Sequence, residues 1–213
     1  MTTNLVAFID ESKKPVRDPA TGRVAGTGDH YVVAAAVVLS GDLDDVRGAL
    51  VAATQALGFP FHYADLRSRS RRLAALDAIL AIDAWDAFLF ETARPMSPRH
   101  NSEHHLRSKT LAAALRHLST EVGTSRVVLE TRAHPGRGLD QLDRKDHQVL
   151  QRLISLGEVA HGLSLGHVDK AEPVLQVSDV LAGVRTDHLC SVDRELYARV
   201  AHRVQKIVTV LDR

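Results

Sequence analysis

The sequence predicts one α/β domain, a mixed central sheet of about five strands flanked by helices. Three observations predict it. Apolar, β-branched runs recur along the 213 residues, and segments of helical period separate them. A chain with 45% hydrophobic and 25% charged residues is ordinary for a globular protein and long enough to bury a core. Strands alternating with helices imply a mostly parallel sheet covered on both faces, with the first two strands as an antiparallel hairpin at one side.

The first strand, residues 5–9, is the run LVAFI, which stops at Asp10 and Glu11. The second, 31–39, reads YVVAAAVVL, and the glycine-, proline- and charge-rich stretch between them reads as a long hairpin loop. Its GRVAGTG lacks both the Gly-Lys-Ser/Thr and the following helix of a phosphate-cradling loop. A helix over 44–57 has Val46, Leu50 and Leu57 near helical spacing, and Gly58-Phe59-Pro60 stops it. FHYADL (61–66) is a short connecting segment before a helix over 70–82 and a third strand, WDAFLFETA (85–93). Pro95 and Pro98 break the chain ahead of a helix over 102–122. RVVLETRA (126–133) is the fourth strand, a helix follows over 139–156, and LSLGHVDK contains the fifth. VLQVSDVLAGVRTDHL and ELYARVAHRVQKIVTVLD are both helical by period, the latter an additional C-terminal helix at about 193–211. No repeat or low-complexity tract divides the chain, so 1–213 reads as a single domain.

Residues 1–4 lead straight into the apolar run without a signal pattern, and no stretch approaches the length of a membrane span. A cytoplasmic protein with no membrane partner is expected. The single cysteine, Cys190, forms no internal disulfide and suits a reducing compartment. A net charge of +1 leaves any basic surface to local clustering.

Carboxylates recur where elements end. Asp10 and Glu11 close the first strand, Glu130 sits near the end of the fourth, Asp65 lies in FHYADL, and Asp179 lies early in the helix PVLQVSDVLAG. An acid at a strand end is ordinarily solvated or caps a turn. Asp179 is different, because Val174, Leu175, Val177, Val180 and Leu181 make its helix apolar over most of its circumference. A carboxylate buried there is costly unless paired, hydrogen-bonded or bound to metal. Hard divalent cations take such oxygen ligands, and a pair of them can drive phosphodiester cleavage. Successive strand side chains point to opposite faces, so only one of Asp10 and Glu11 can look into a given site. Asp10 is the expected ligand, and Glu11 is expected to point away, either to a neighbouring helix or to a supporting role behind the ligands.

FIDES, YVVAAAVV, HYAD and LQVSDVLAG together resemble the family catalogued as domain of unknown function 3800, over about residues 5–189. Members are similar to ribonuclease H-like proteins, so the resemblance implies a ribonuclease H-like three-layer fold. That architecture carries metal carboxylates on the first strand, a middle element, the end of a later strand and a C-terminal helix. Carried over, it implies Asp10, Glu130 and Asp179 as catalytic metal ligands, with Mg²⁺ or Mn²⁺ as cofactor. Asp65 or His62 contributes from the connecting segment, Asp65 as a further metal ligand and His62 in proton transfer, its ordinary pKa being near neutral. The sequence departs from ribonuclease H in showing two strands where that fold has a three-strand meander. Its first helix offers Asp44 and Asp45 only at its start, so the fourth ligand stays open.

RSRSRR (67–72) follows HYADL. It reads either as a solvated helix start or as a phosphate-contacting patch in which Arg67, Arg69 and Arg71 are joined by Arg132 and Lys170. With 4% aromatic residues, nucleic-acid binding would be led by the backbone with little sequence preference. HNSEH (100–104) matches the H-x-x-E-H metallopeptidase pattern, but twelve histidines make a chance match common and its polar setting reads as a solvated helix start. Two functions follow: a divalent-metal-dependent nuclease, or a non-catalytic binding or regulatory module using the acids structurally. Convergence of Asp10, Glu130 and Asp179 favours the first; acids satisfied by arginines favour the second.

Overall fold

The computed structural model describes residues 4–17, 24–92, 103–132 and 141–210. The elements run β1 (Leu5–Arg17), β2 (Val24–Leu39), α1 (Leu43–Leu57), a 3₁₀ turn (Tyr63–Asp65), α2 (Arg69–Leu80) and β3 (Asp86–Thr92). Then come α3 (Glu103–His117) with a π-helical extension (Leu118–Val122), β4 (Thr124–Glu130) and α4 (Gln141–Ser155). The chain continues through β5 (Ser164–Val168), α5 (Pro173–Leu189), α6 (Arg194–Val200) and β6 (Val204–Val210). Local chemistry sets the boundaries. Gly58 closes α1 at φ 72°, donating its N–H to the carbonyls of Thr54 and Gln55. Ser68 opens α2 by accepting the Arg71 N–H, and Asp193 opens α6 by accepting those of Glu195 and Leu196.

The six strands form one mixed sheet in the order β5-β4-β1-β2-β3-β6. Only β2 runs antiparallel to its neighbours; β4 pairs parallel with β1, β5 with β4 and β6 with β3. Three expectations are corrected. The hairpin sits at the centre of the sheet, not at one side, because β4 adds to the outer edge of β1 and β3 to that of β2. The addition of β3 also completes the three-strand meander β1-β2-β3, with α1 and α2 interposed between β2 and β3. Much of the expected hairpin loop is strand, since backbone pairing continues from Glu11↔Val33 to Pro15↔Asp29 and needs no apolar side chains. Third, the expected C-terminal helix ends at Val200, and 204–210 becomes a sixth strand. Its sequence VQKIVTV is rich in β-branched residues, and β3 offers an open edge to pair with. The first three positions of HNSEH, and all of its side chains, lie outside the described residues.

Period-two alternation divides the core. Val6 and Phe8 of β1, with Val32, Ala34, Ala36 and Val38 of β2, pack beneath α1, α2, α5 and α6. Ala7, Ile9, Val33, Ala35 and Val37 pack on the other face against α3 and α4. α5 lies close on the sheet: Ser178 Oγ donates to the Phe8 carbonyl at 2.7 Å and accepts the Ala36 N–H at 3.2 Å. Among the described residues, no helix is long and apolar enough to cross a membrane.

A candidate active site where β4 ends beside β1

The same alternation separates the paired acids that close LVAFI. Asp10 takes the face of Val6 and Phe8, under α5; Glu11 takes the face of Ala7 and Ile9, under α3. On the parallel neighbour β4, Phe8 lies in register with Val128 and Ile9 with Leu129. Glu130 therefore comes up beside Asp10. α5 packs across β1 and β2 and adds Asp179. The three line a cleft of about 370 Å³, together with His62, Asp65, Lys170 and Gln176. It adjoins a more polar space of about 410 Å³ whose lining adds Lys14, Tyr63, Arg72 and Arg132. The carboxyl ends of strands are where open α/β sheets gather reactive groups.

Asp10 is only 8% exposed. Burial pushes its carboxyl up from the ordinary 3.8 to about 8, and the charges of Asp179, Glu130 and Glu11 push the same way. The Glu11 N–H, 2.7 Å from Asp10 Oδ1, opposes the shift without cancelling it. Asp179 Oδ2 accepts the Tyr63 N–H at 2.9 Å and is bonded to His62 Nδ1, which leaves Oδ1 able to take a cation. Glu130 has Lys170 Nζ 3.9 Å away. Among the described residues, no arginine hydrogen-bonds Asp10, Glu130 or Asp179.

One face of α5 holds the HYAD turn against this cleft. Gln176, Asp179, Gly183 and Asp187 follow one another at helical spacing along it. Gln176 Oε1 accepts the Phe61 N–H at 3.1 Å, Asp179 takes His62 and Tyr63, and Asp187 Oδ2 accepts the Tyr63 hydroxyl at 2.5 Å. Gly183 makes room for the ring, because a Cβ there would lie 2.1 Å from Tyr63 Cδ1. HYAD and LQVSDVLAG are thus two halves of one contact.

Glu11 is satisfied on the opposite face. It accepts from Arg107 Nε at 2.9 Å, from Arg132 Nη2 at 2.8 Å and from the buried Tyr31 hydroxyl. Behind it lies a cluster the sequence did not reveal, Asp143, Asp146 and His167, whose ligand atoms are all within 4.8 Å of one another. Asp10, Glu130 and Asp179 do not close to that mutual spacing. Both carboxylates of the buried cluster are already engaged, however. Asp143 accepts from Thr131 Oγ1 at 2.7 Å and the Arg132 N–H at 3.0 Å. Asp146 takes both terminal nitrogens of Arg107 and, at 3.1 Å, His167 Nε2. Burial pushes Asp146 up, but its bonds to His167 and Arg107 outweigh that and hold it below the usual carboxylate range. Arg107 supplies there the positive charge a metal would bring.

The basic residues divide. Arg132 and Lys170 line the cleft, whereas Arg67, Arg69 and Arg71 do not. Arg69 is held by Asp193 at 2.9 Å and by Glu195, and Arg71 lies 5.3 Å from the centre of the Phe59 ring. Arg72, the last of the run, reaches the cleft instead.

No family model matches the chain, and no curated protein matches it. Among solved structures it is similar to a chain in the PCNA:RNase HII complex from Archaeoglobus fulgidus, at 15% identity and a TM-score of 0.49. That match covers 94% of this chain and 80% of the other. It is also similar to a mutant protein of Bst-RNase HIII, at 13% identity and a TM-score of 0.45, spanning 93% of this chain and 56% of that one. The likeness is one of overall fold.

Proposed function

We propose that the cleft is the active site of a divalent-metal-dependent nuclease that hydrolyses phosphodiester bonds of nucleic acid, with Asp10, Glu130 and Asp179 holding Mg²⁺ or Mn²⁺. One observation carries the reading: three acids from distant parts of the chain meet in one cleft unpaired to arginine, close enough that their repulsion helps raise Asp10 to about 8. A divalent cation relieves such repulsion, and an all-oxygen donor set is what a hard ion takes. Asp65, at the same cleft, is the candidate further ligand. FIDES, HYAD and LQVSDVLAG supply Asp10, His62 and Asp179, which supports placing the chain with the family those motifs resemble.

When bound, the ion would polarise the phosphoryl oxygens and lower the pKa of water. The remaining work falls to the chain. Asp179 fixes the His62 ring through Nδ1, so its Nε2 is the nitrogen left to carry a proton. Lys170 and Arg132 hold the polyanion beside the acids, by its backbone and with little sequence preference. A reducing, cytoplasmic setting suits the buried thiol of Cys190, the one cysteine of the chain.

The test is cleavage of labelled RNA, DNA and RNA–DNA hybrid with Mg²⁺ or Mn²⁺, for the wild type and Asp10→Asn. Cleavage should require the metal and fall at least about a hundredfold in the variant, as loss of a charged metal ligand implies. A wild type inert on every substrate, or equal cleavage by both proteins, overturns the reading.

A further inference from the structure

We propose that Lys14 and Arg72, fixed by the buried carboxylate of Asp187, form a second phosphate site in the same cleft, so that the ligand is a nucleic-acid strand and not a mononucleotide. The proposal rests on the nuclease reading for the position of the first phosphate.

Asp187 is fully buried on α5 and holds three partners. Lys14 Nζ bonds Oδ1; Arg72 Nη1, at 3.0 Å, and the Tyr63 hydroxyl bond Oδ2. Both cations also lie over the Tyr63 ring, Arg72 at 4.8 Å and Lys14 at 5.2 Å from its centre. Two positive charges on one carboxylate leave a surplus of one. Lys14 and Arg72 keep only 34% and 23% of their side-chain surface exposed, and both line the polar part of the cleft. Arg72 gives Nε to the Leu66 carbonyl and Nη1 to Asp187. Among the described residues its Nη2 has no partner, and the Lys14 ammonium has N–H groups beyond the one Asp187 takes. A fork of guanidinium and ammonium donors fits a phosphate. Because both side chains are already held in place, binding costs little further ordering.

Spacing decides between a strand and a mononucleotide. Asp179 and Asp187 are eight residues apart on α5, about 12 Å along the axis at 1.5 Å per residue. One phosphate cannot serve both ends of that interval, but consecutive nucleotides of a strand can.

The experiment is fluorescence anisotropy of a labelled single-stranded DNA 12-mer, titrated with the full chain in EDTA at several salt concentrations. Arg72→Gln and Lys14→Gln should each weaken binding about 5–20-fold and lower the salt slope by about one, while Lys14→Arg keeps wild-type affinity. Thermal melts establish that each variant is folded, and the more exposed Lys14 carries the test should Arg72→Gln fail to fold. A labelled mononucleotide should not distinguish the variants from wild type. Wild-type affinity and slope in both Gln variants, or no binding by the wild type, overturns the proposal. Loss of the cleavage reading with this difference intact would remove the nuclease and leave the phosphate site standing.

Discussion

Asp10 is where the single residue carries most. Its carboxyl titrates near 8 in the folded chain against 3.8 ordinarily, so the folded state is the tighter proton binder. Its contribution to stability is therefore full below about pH 4 and is lost as pH rises through 8. The metal-free protein should melt at a lower temperature at pH 8 than at pH 5. Asp10→Asn, which mimics the neutral acid, should flatten that fall. Metal binding must expel the proton, so calorimetry at pH 7 in buffers of different ionisation heat should find close to one proton released per ion. No proton release, or an unchanged pH dependence in the variant, would count against this account. Asp10 and Asp179 were legible in the sequence because each breaks a local rule, an acid ending an apolar run and an acid inside an apolar helix. Asp143 and Asp146 break none. They sit on an amphipathic helix where acids are ordinary, and their partners Arg107 and His167 come from 39 and 21 residues away from Asp146.

At the scale of elements, α5 organises the cleft through one face. Replacing glycine by alanine inside a helix usually stabilises it by about 1 kcal/mol. Gly183→Ala should do the opposite, because the new methyl would lie 2.1 Å from the Tyr63 ring, a buried side chain held at its hydroxyl by Asp187. We expect a net loss of about 1–3 kcal/mol, read from urea denaturation, as in other overpacked cores. His62 and Arg72 should be displaced with the turn, so strand binding falls too. A variant as stable as wild type would show that the HYAD turn is not seated as described. The sequence marked α5 and HYAD separately but not their contact, since nothing in a helical period says which loop will lie on it. β6 reads as helix in the sequence for a related reason. Val200, Val204 and Val208 recur every four residues and continue the helical period of α6, and only the open edge of β3 makes 204–210 a strand.

Across the whole molecule, the middle of β1 and the end of β4 carry two charge systems back to back. Asp10 and Glu130 face α5, which adds Asp179. On the reverse, Glu11, Arg107, Asp146, His167, Asp143 and Arg132 form a ring that ties β1 to α3, α4, β4 and β5. Neighbouring residues of one strand serve both, so the ring fixes the backbone that presents Asp10. Arg107 is its pivot, 6% exposed and bonded to both Glu11 and Asp146. Removing one partner of a buried ion pair leaves the other uncompensated, at a cost of about 3–5 kcal/mol. Arg107→Met should lose about that much unfolding free energy, with Asp146 the main casualty because Glu11 keeps Arg132 and Tyr31. Adding Asp146→Leu should recover more than half, since a buried pair can often be replaced by packed apolar residues. The more loosely neutralised Glu11 would also repel charge on Asp10 more strongly, so the single variant should bind Mn²⁺ more weakly at pH 7 and recover at higher pH. If Arg107→Met stays within about 1 kcal/mol of wild type, the ring is not what holds these strand ends. If stability falls but Mn²⁺ affinity does not, the two faces are mechanically joined and electrostatically separate.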